Sequence, residues 1–361
     1  MRVAFLSAAN SVHAIRWVNG LVGRGLDVHL LSAHDAGAGV DPRVQMHRLS
    51  RSAPWAYLLS SGELAASLET IAPDLLNAHY ATGYGLLARL TGFRPTLLSV
   101  WGSDVYDFPR ISPAHRWMLR GNLRAAAAIA STSDCMARRV CALGVPVRPF
   151  VTPFGVDEQI FVPGRLNAVP GEIVIGTVKT LARTYGVDVL IEAFAMTVQR
   201  IGPATRLRLE ITGAGPEQSA LEALVGRLGL SATVTFHGAV PHARVPEMLH
   251  RMDIFVALSR EESFGVAAIE AAACEKPVVV SDAEGLAEVT RHEETGLIVP
   301  RDHAAAAADA LTRLVRDEAL RIRLGRAGRA RVLQHYTWDR SLDRMIEVYR
   351  AVLAGPSPCA D

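Results

Sequence analysis

Short apolar runs alternate with stretches of helical periodicity along most of the chain. The apolar runs predict strands at 3–7, 27–32, 75–78, 96–100, 127–131 and 148–151, and then at 173–177, 206–211, 232–237, 254–259, 277–281 and 296–299. Many of them end at Ser, Asn or Gly, where a crossover loop can begin. Because strands that alternate with helices are typical of βαβ units, each series predicts a doubly wound parallel sheet.

Between the two series, Thr152–Gly171 is rich in Pro and Gly and shows no clear periodicity, which predicts a linker. The predicted domains are residues 1–157 and 158–337, and a last helix is expected from about Trp338 to Leu353, within residues 338–361. A chain of 361 residues with 50% hydrophobic content can fill two such cores.

The formal net charge of +2 is too small to indicate a nucleic-acid-binding protein. The four cysteines (Cys135, Cys141, Cys274 and Cys359) show no CxxC spacing, so we expect unpaired thiols in a reducing compartment and no metal ion held by them. The N-terminal apolar run is too short for a signal peptide, and no apolar segment reaches the length of about 18 residues that a membrane span needs. We therefore expect a cytoplasmic protein that touches the inner face of a membrane at most.

The segment from Asp253 to Ser281 reads as a strand, a loop, a helix and a second strand. The loop carries Glu262, Ser263, Phe264 and Gly265, and the helix that starts near Val266 holds Glu270. Unpaired N–H groups and the helix dipole make such a loop an anion site, and a diphosphate would fit it. Glu270 lies where a carboxylate could accept hydrogen bonds from an adjacent ribose, whereas Glu262 precedes the helix and faces another group. Taken alone, either glutamate could equally be a solvated surface charge.

The same segment resembles the donor-site signature of the retaining glycosyltransferases of family 4. The shared features are the Glu-x7-Glu pair, Ser-Phe-Gly after the first Glu, Lys276-Pro277-Val278-Val279 before a Ser-Asp pair, Gly285 and Glu288, and Thr295-Gly296-Leu297-Ile298-Val299. The resemblance implies the GT-B fold, in which two Rossmann-like domains face each other across a cleft and the C-terminal helix crosses back to the first domain. It also implies metal-independent transfer of a sugar, with retention, from a nucleotide diphosphate sugar. Glu262 would then hold hydroxyl groups of that sugar.

Further donor contacts are expected after other strands of the second series. Lys179 matches the first basic residue of the family's diphosphate clamp, but Thr184 and Tyr185 stand at the second basic position, so the adjacent Arg183 is the substitute candidate. Gly213 belongs to a GxG that alone would indicate a plain tight turn, but its place in the predicted crevice favours a point of close approach to the nucleotide, so Gly213 is expected to bind the donor. His237 is expected to be a hydrogen-bonded, partly buried histidine.

In the first series, the loop after the first strand lacks the family's glycine pair and offers Asn10, His13 and Arg16 as polar groups on the acceptor side. By the resemblance, His79 reaches the transferred sugar and, with Lys179 and Glu262, is counted among the catalytic residues. Trp101 either stacks on a sugar or packs in the core. Asp104 either orients an acceptor hydroxyl or caps a helix.

Residues 110–124 mix four arginines and a histidine with Trp117, Met118 and Leu119. Such a stretch can lie on an anionic membrane surface or bind a phosphorylated lipid acceptor, although a solvated helix face is the plainer interpretation. The expected partners are thus a nucleotide sugar and a glycan or lipid-linked acceptor, with no cofactor.

The predicted activity is that of a hexosyltransferase in the synthesis of bacterial cell-envelope glycans or glycoconjugates. Two alternatives stay open: a sugar-nucleotide epimerase of the same fold, and a non-catalytic subunit that binds nucleotide sugars. The missing glycine pair and the incomplete basic clamp support the second alternative.

Overall fold

A computed structural model describes residues 1–145, 148–166 and 169–355, without the side chain of Ala204. The chain forms two compact units. The first unit comprises Met1–Pro153 together with the segment from Ser341 onward, and the second unit comprises Phe154–Arg340. Residues 167 and 168 of the predicted linker, and Cys359 with the rest of 356–361, lie outside the described residues.

The first unit is built on a parallel sheet with the strand order β3-β2-β1-β4-β5-β6-β7. Its strands are β1 (Arg2–Leu6), β2 (Asp27–Ser32), β3 (Gln45–Arg48), β4 (Leu75–His79), β5 (Thr96–Val100), β6 (Ala128–Ser131) and β7 (Phe150–Val151). Its connecting helices are α1 (Val12–Gly23), α2 (Ala56–Leu59), α3 (Ser61–Ile71), α4 (Gly83–Thr91), α5 (Ser103–Tyr106), α6 (Phe108–Ile111), α7 (Pro113–Ala125) and α8 (Asp134–Ala142).

The second unit repeats this plan with the strand order β10-β9-β8-β11-β12-β13, again all parallel. Its strands are β8 (Glu172–Val178), β9 (Arg206–Thr212), β10 (Val234–Gly238), β11 (Ile254–Ala257), β12 (Val278–Ser281) and β13 (Gly296–Val299). The helices that follow are α9 (Val187–Ile201), α10 (Gln218–Arg227), α11 (Val245–His250), α12 (Val266–Ala273), α13 (Glu284–Val289), α14 (Ala304–Arg316), α15 (Glu318–His335) and α16 (Trp338–Ala354). Short 3₁₀ turns are found at Arg183–Tyr185, Gly202–Ala204 and His242–Arg244.

Each unit has its own apolar core between sheet and helices. Leu6, Leu31, Leu76 and Leu98 belong to the core of the first unit, and Ile175 and Leu209 belong to that of the second. Strands buried on both faces read as continuous apolar runs, which is why the sequence located them well. The two doubly wound α/β sheets that were predicted are therefore confirmed.

In each sheet the order of the strands reverses beside the first strand. β1 pairs with β2 on one side and β4 on the other, and β8 pairs likewise with β9 and β11. Ligands of open α/β sheets bind at such a switch point, outside the carboxyl ends of the strands. In the second unit this place lies between the loops that follow β8 and β11.

Helix α16 belongs to the first unit for most of its length. The Nδ2 group of Asn77, at the centre of β4, donates to the Tyr349 hydroxyl at 2.7 Å, and both side chains are completely buried. Within the described part of the chain, no helix is both long enough and apolar enough to cross a membrane.

Candidate functional site

The loops after β8 and β11 bring Lys179 and Glu262 together. Lys179 Nζ donates to Glu262 Oε2 at 2.6 Å, and Ser259 Oγ donates to the same oxygen at 3.2 Å. Both charged side chains are largely shielded from solvent, at 15% and 11% exposure. The structure thus places two residues that the sequence assigned to a donor site in direct contact at the switch point of the second sheet.

Lys179 has a further partner that the sequence did not reveal. Its ammonium group lies 4.4 Å from the centre of the Tyr185 ring, within the range of a cation–π contact. Tyr185 stands at the family's second basic position, so here that position supports the first cation. Arg183 is exposed, and its carbonyl group accepts a hydrogen bond from Arg260 Nη1.

Arg260 fixes the loop that carries Arg183. Its guanidinium group makes a two-pronged ion pair with Asp188, at 3.0 and 2.8 Å, and a third contact with Asp302 at 2.6 Å. Burial opposes ionisation of Asp188, but the hydrogen bonds and charge of Arg260 outweigh it and lower the pKa of that carboxyl group. The loop after β8 is therefore tied to the loop after β11.

Two glycines let the loop after β9 approach the loop after β8. A Cβ atom on Gly213 would lie 1.8 Å from the carbonyl oxygen of Lys179, and one on Gly215 would lie 2.3 Å from that of Leu181. Gly213 also has a φ of +140°, a backbone conformation that side chains disfavour. This GxG is thus required by chain packing around Lys179, and close approach of a nucleotide to Gly213 stays a prediction.

Helix α12 begins directly after Gly265, whose φ of +101° turns the chain into the helix. The N–H of Ala268 is bonded to Gly265 O, so the N–H groups of Val266 and the next residue precede the first intrahelical bond. These donors provide the anion-binding potential expected of the Ser263–Val266 loop.

Phe264 does not point to a ligand with its side chain. It is 2% exposed and its ring packs edge-on against Tyr336, 5.7 Å away. The ring of Phe264 therefore belongs to the core, and a donor contact of Phe264, which stays a prediction, would come from its backbone in the loop. Gly285 packs against this loop, where a Cβ atom would lie 2.4 Å from Phe264 N.

Glu270 is 4% exposed and contacts His242, a residue the sequence did not single out. His242 Nε2 lies 2.8 Å from Glu270 Oε1. His242 opens the 3₁₀ turn that follows β10, so the rule that loops after parallel strands converge would have found it. Glu270, the second glutamate of the Glu-x7-Glu pair, therefore has a protein partner in His242.

His237 is partly buried, as expected, but its Nε2 atom makes no hydrogen bond with any described residue, contrary to the expectation of a hydrogen-bonded histidine. Its Nε2 atom lies 3.3 Å from Glu210, a buried carboxylate that also makes two hydrogen bonds with Arg251, at 2.8 and 3.0 Å. Burial raises the pKa of Glu210, but Arg251 outweighs that effect and the net shift is downward. Lys276 is also structural, since its buried Nζ donates to Gly164 O at 2.7 Å.

In the first unit, His79 is enclosed by aromatic rings. It is 1% exposed, stacks on Phe5 at 4.1 Å between ring centres, and meets the Trp101 ring edge-on at 4.9 Å. Among the described residues, neither ring nitrogen of His79 has a hydrogen-bond partner. Burial lowers the pKa of His79 to about 3, so the ring is neutral. Contact between the His79 ring and a sugar would require the surrounding side chains to move.

Asp104 has a bracing role. Its carboxylate is 1% exposed and accepts hydrogen bonds from the N–H groups of Ala81, Trp101 and Gly102, at 2.9, 3.2 and 2.8 Å. Burial raises the pKa of Asp104 against the effect of these donors. Asp104 thus holds backbone groups of the loops after β4 and β5, but it does not cap α5, whose N-cap residue is Gly102. That Asp104 orients an acceptor hydroxyl stays a prediction.

The remaining acceptor-side residues surround the start of α1. Asn10 is exposed, while His13 and Arg16 are half-buried on the first turns of the helix. The His13 ring meets Trp101 at 5.7 Å between centres. The loops after β1, β4 and β5 thus meet around Trp101, as the strand order requires.

The described residues include three cysteines and were also searched for clusters of metal ligands. In the described ranges, no group of three or more His, Cys, Asp or Glu side chains could hold a metal ion. Cys135, Cys141 and Cys274 form no disulfide bond within the described residues, and burial raises the pKa of Cys274 to about 12.

Two family models match the chain, one for each series of strands. Residues 2–133 match the family described as glycosyl transferase 4-like, and residues 160–331 match the family described as glycosyl transferases group 1. Together the matched ranges include all the predicted site residues.

Curated relatives carry the name D-inositol 3-phosphate glycosyltransferase. The protein of Pseudarthrobacter chlorophenolicus is 35% identical over 242 residues, which are 63% of this chain and 56% of the relative. That of Rhodococcus jostii is 30% identical over 301 residues, 77% of this chain and 66% of the relative. The chain spans about half the length of most of the curated relatives it matches.

Solved structures share the fold over nearly the whole chain. The sucrose-phosphate synthase of Thermosynechococcus elongatus superposes with a TM-score of 0.84 at 22% identity, covering 98% of this chain and all of the other. The Anabaena protein HepE, solved in complex with UDP-glucose, superposes with a TM-score of 0.80 at 17% identity. The match covers 97% of this chain and all of the other.

Proposed function

Because the chain belongs to the glycosyl transferases group 1 family, we propose that it transfers a sugar from a nucleotide diphosphate sugar to an acceptor hydroxyl. In this proposal the anomeric configuration is retained and no metal ion takes part. The role would be in the synthesis of a cell-envelope glycan or glycoconjugate.

The contact between Lys179 and Glu262 is the observation that carries the proposal. It joins a cation and an acceptor-only carboxylate at the switch point of the second sheet, beside the N-terminus of α12. Leaving-group charge develops on a diphosphate during transfer, so a shielded ammonium group and free N–H groups are what the reaction needs there. An ammonium group has three donors, and Lys179 can keep Glu262 while it binds phosphate oxygen.

The other polar groups of the site bind different parts of the donor in this proposal. Glu262 accepts hydrogen bonds from the transferred sugar, and Glu270 accepts them from the ribose beside His242. Exposed Arg183 adds charge at the diphosphate. A carboxylate that is already hydrogen-bonded to Lys179 and Ser259 is held as an acceptor and is poorly suited to attack the sugar.

The relatives support the donor class. Solved structures of HepE contain UDP and UDP-glucose, and the curated relatives are named as glycosyltransferases. For the acceptor we propose a glycan end or a lipid-linked glycan, reached at the inner face of a membrane by a cytoplasmic protein. Residues 110–124 would provide the peripheral contact.

The proposal is tested with a panel of UDP-, GDP- and ADP-linked sugars. At least one of them is expected to raise the melting temperature, because a ligand that binds only the folded state stabilises it. Slow hydrolysis of the same compound by the unchanged chain would show catalysis. This hydrolysis should be lost in Lys179→Met and retained in Arg227→Met, a control at an exposed position.

Each alternative has its own outcome in that assay. Stabilisation without turnover in any acceptor screen would indicate the non-catalytic subunit. Release of an epimerised free sugar without an acceptor would indicate the epimerase. Stabilisation by none of the donors would contradict the proposal itself.

A further inference from the structure

A groove of about 780 Å³ lies beside α7 in the first unit. It is lined by residues of α4, α6 and α7, and α4 packs directly against α7. Five arginines line it: Arg89, Arg110, Arg116, Arg120 and Arg124. Arg89 comes from α4 and lies outside the basic segment that the sequence had indicated.

The described lining of this groove contains basic side chains but no acidic ones. The sequence has no Asp or Glu from 75 to 103 or from 108 to 133, and no carboxylate occurs among the described residues of the lining. Arg89, Arg116, Arg120 and Arg124 make no ion pair with any described residue. The Arg120 Nε atom is buried and has no hydrogen-bond partner among the residues that the structure describes. Like charges gathered in a groove focus the potential and attract anions.

The exposed side chains along α7 are arranged so that they could contact a flat surface together. Arg116, Arg120 and Arg124 are four residues apart and share one side of the helix, while Leu119 and Leu123 are buried in the core. Trp117 is 72% exposed and Ile111 is 65% exposed, and both line the groove. Guanidinium groups beside an exposed indole ring match the boundary between lipid head groups and acyl chains.

We infer that this groove binds the phosphate head groups of anionic phospholipids in a bilayer, with Trp117 and Ile111 inserted between them. The inference rests on the membrane contact proposed above and is independent of sugar transfer. A bilayer is favoured over a nucleic acid because exposed Ile111 gains from entering an apolar phase and gains nothing from a sugar-phosphate chain.

The test is flotation of the purified chain with vesicles of phosphatidylcholine, with and without phosphatidylglycerol. The chain is expected to bind only the vesicles that contain phosphatidylglycerol, and less strongly as salt is added. Arg116→Glu/Arg120→Glu should lower the partition coefficient at least about tenfold, since each basic residue contributes on the order of 1 kcal/mol at an anionic surface. Trp117→Ala should lower it by roughly several-fold.

The matched control is Arg227→Glu/Arg326→Glu, which makes the same change of charge at two exposed positions of the second unit. It should bind vesicles as the unchanged chain does. Stabilisation of each variant by a nucleoside diphosphate reports on the second unit separately, so a failure of vesicle binding and a failure of the proposed transfer give different results.

Three outcomes would overturn the inference. The first is absence of vesicle binding, and the second is equal loss in the control and the groove variant. The third is competition by soluble glycerol 1-phosphate or by an oligonucleotide at concentrations similar to those of lipid phosphate, which would assign the groove to a soluble phosphate ester or to a nucleic acid.

Discussion

Lys179 Nζ and Glu262 Oε2 lie 2.6 Å apart although 83 residues separate them in the sequence. The contact forms because β8 and β11 are neighbours in the second sheet and end at the same edge. Because the two charges are this close and this well shielded from solvent, their energies are coupled. Substitution of either residue therefore changes the electrostatic environment of the other.

Lys179→Met should weaken binding of the preferred nucleoside diphosphate by roughly ten- to a hundredfold. A hydrogen bond from a charged group contributes about 1.5–3 kcal/mol, and methionine keeps the length of the side chain without its charge. Isothermal titration calorimetry measures the change. Arg227→Met, the exposed control, should leave Kd unchanged, and equal affinities of Lys179→Met and the unchanged chain would remove Lys179 from the site.

The stability of the pair is expected to be non-additive. Lys179→Met and Glu262→Gln each leave a shielded polar group without its partner, whereas the double substitution removes both charges. A double-mutant cycle from urea unfolding should give a coupling energy of about 1–3 kcal/mol. A value near zero would show that the contact contributes nothing to the ligand-free fold.

Glu270→Ala should abolish discrimination between ribose and 2′-deoxyribose. A carboxylate that accepts from ribose hydroxyls favours a ribonucleoside diphosphate over its 2′-deoxy form, by about tenfold for one hydrogen bond of roughly 1.4 kcal/mol. Competition binding of the two nucleotides measures the ratio in both proteins. If the unchanged chain binds them equally, Glu270 is only the structural partner of His242.

Gly213→Ala should destabilise the second unit by about 2–4 kcal/mol. The new methyl group would meet the Lys179 carbonyl oxygen at 1.8 Å, and the backbone at φ +140° is unfavourable for alanine. Gly226→Ala is the control, because a methyl group there meets nothing within 4 Å and helix α10 should gain up to about 1 kcal/mol. Chemical unfolding of both variants should therefore show shifts of opposite sign.

Burial of His79 should make the first unit sensitive to acid. The pKa of about 3 in the folded state is below the ordinary 6.5, so the unfolded chain binds more protons between these values and stability is lost as pH falls below 6.5. The loss is about 1.4 kcal/mol per pH unit, or about 2 kcal/mol at pH 5.

His79→Phe keeps a flat ring on Phe5 but cannot take up a proton. The free energy of unfolding of this variant minus that of the unchanged chain should increase by about 2 kcal/mol when the pH is lowered from 7 to 5. Any constant packing cost of the larger ring cancels in this difference. Parallel pH profiles would show that His79 is accessible to protons in the folded state.

Much of the architecture could be predicted because buried parallel strands leave an unbroken apolar signal. The edge strand β3 could not, since Gln45–Arg48 has no apolar run and is mostly exposed. Glycine at 213 and 265 was recognised from motif context, and the structure adds the positive φ angles that require it.

Side-chain surroundings were harder to predict than positions. No sequence pattern indicates that Trp101 packs against His79, or that Tyr185 supports Lys179 in place of a second cation. The contact between His242 and Glu270 spans 28 residues and depends on the pairing of β10 with β9 at the far side of the sheet. Such contacts arise from tertiary packing, which no local pattern encodes.

Helix α16 has a consequence for the order in which the protein matures on the ribosome. Residues 1–153 leave the ribosome first, but Asn77 finds the hydroxyl of Tyr349 only when the last helix has been made. The second unit can therefore complete its core while the first still exposes part of its own. A gene fragment cut at residue 153 would encode a sheet with an uncovered β4, and fusion of residues 338–355 to that fragment is the way to restore it.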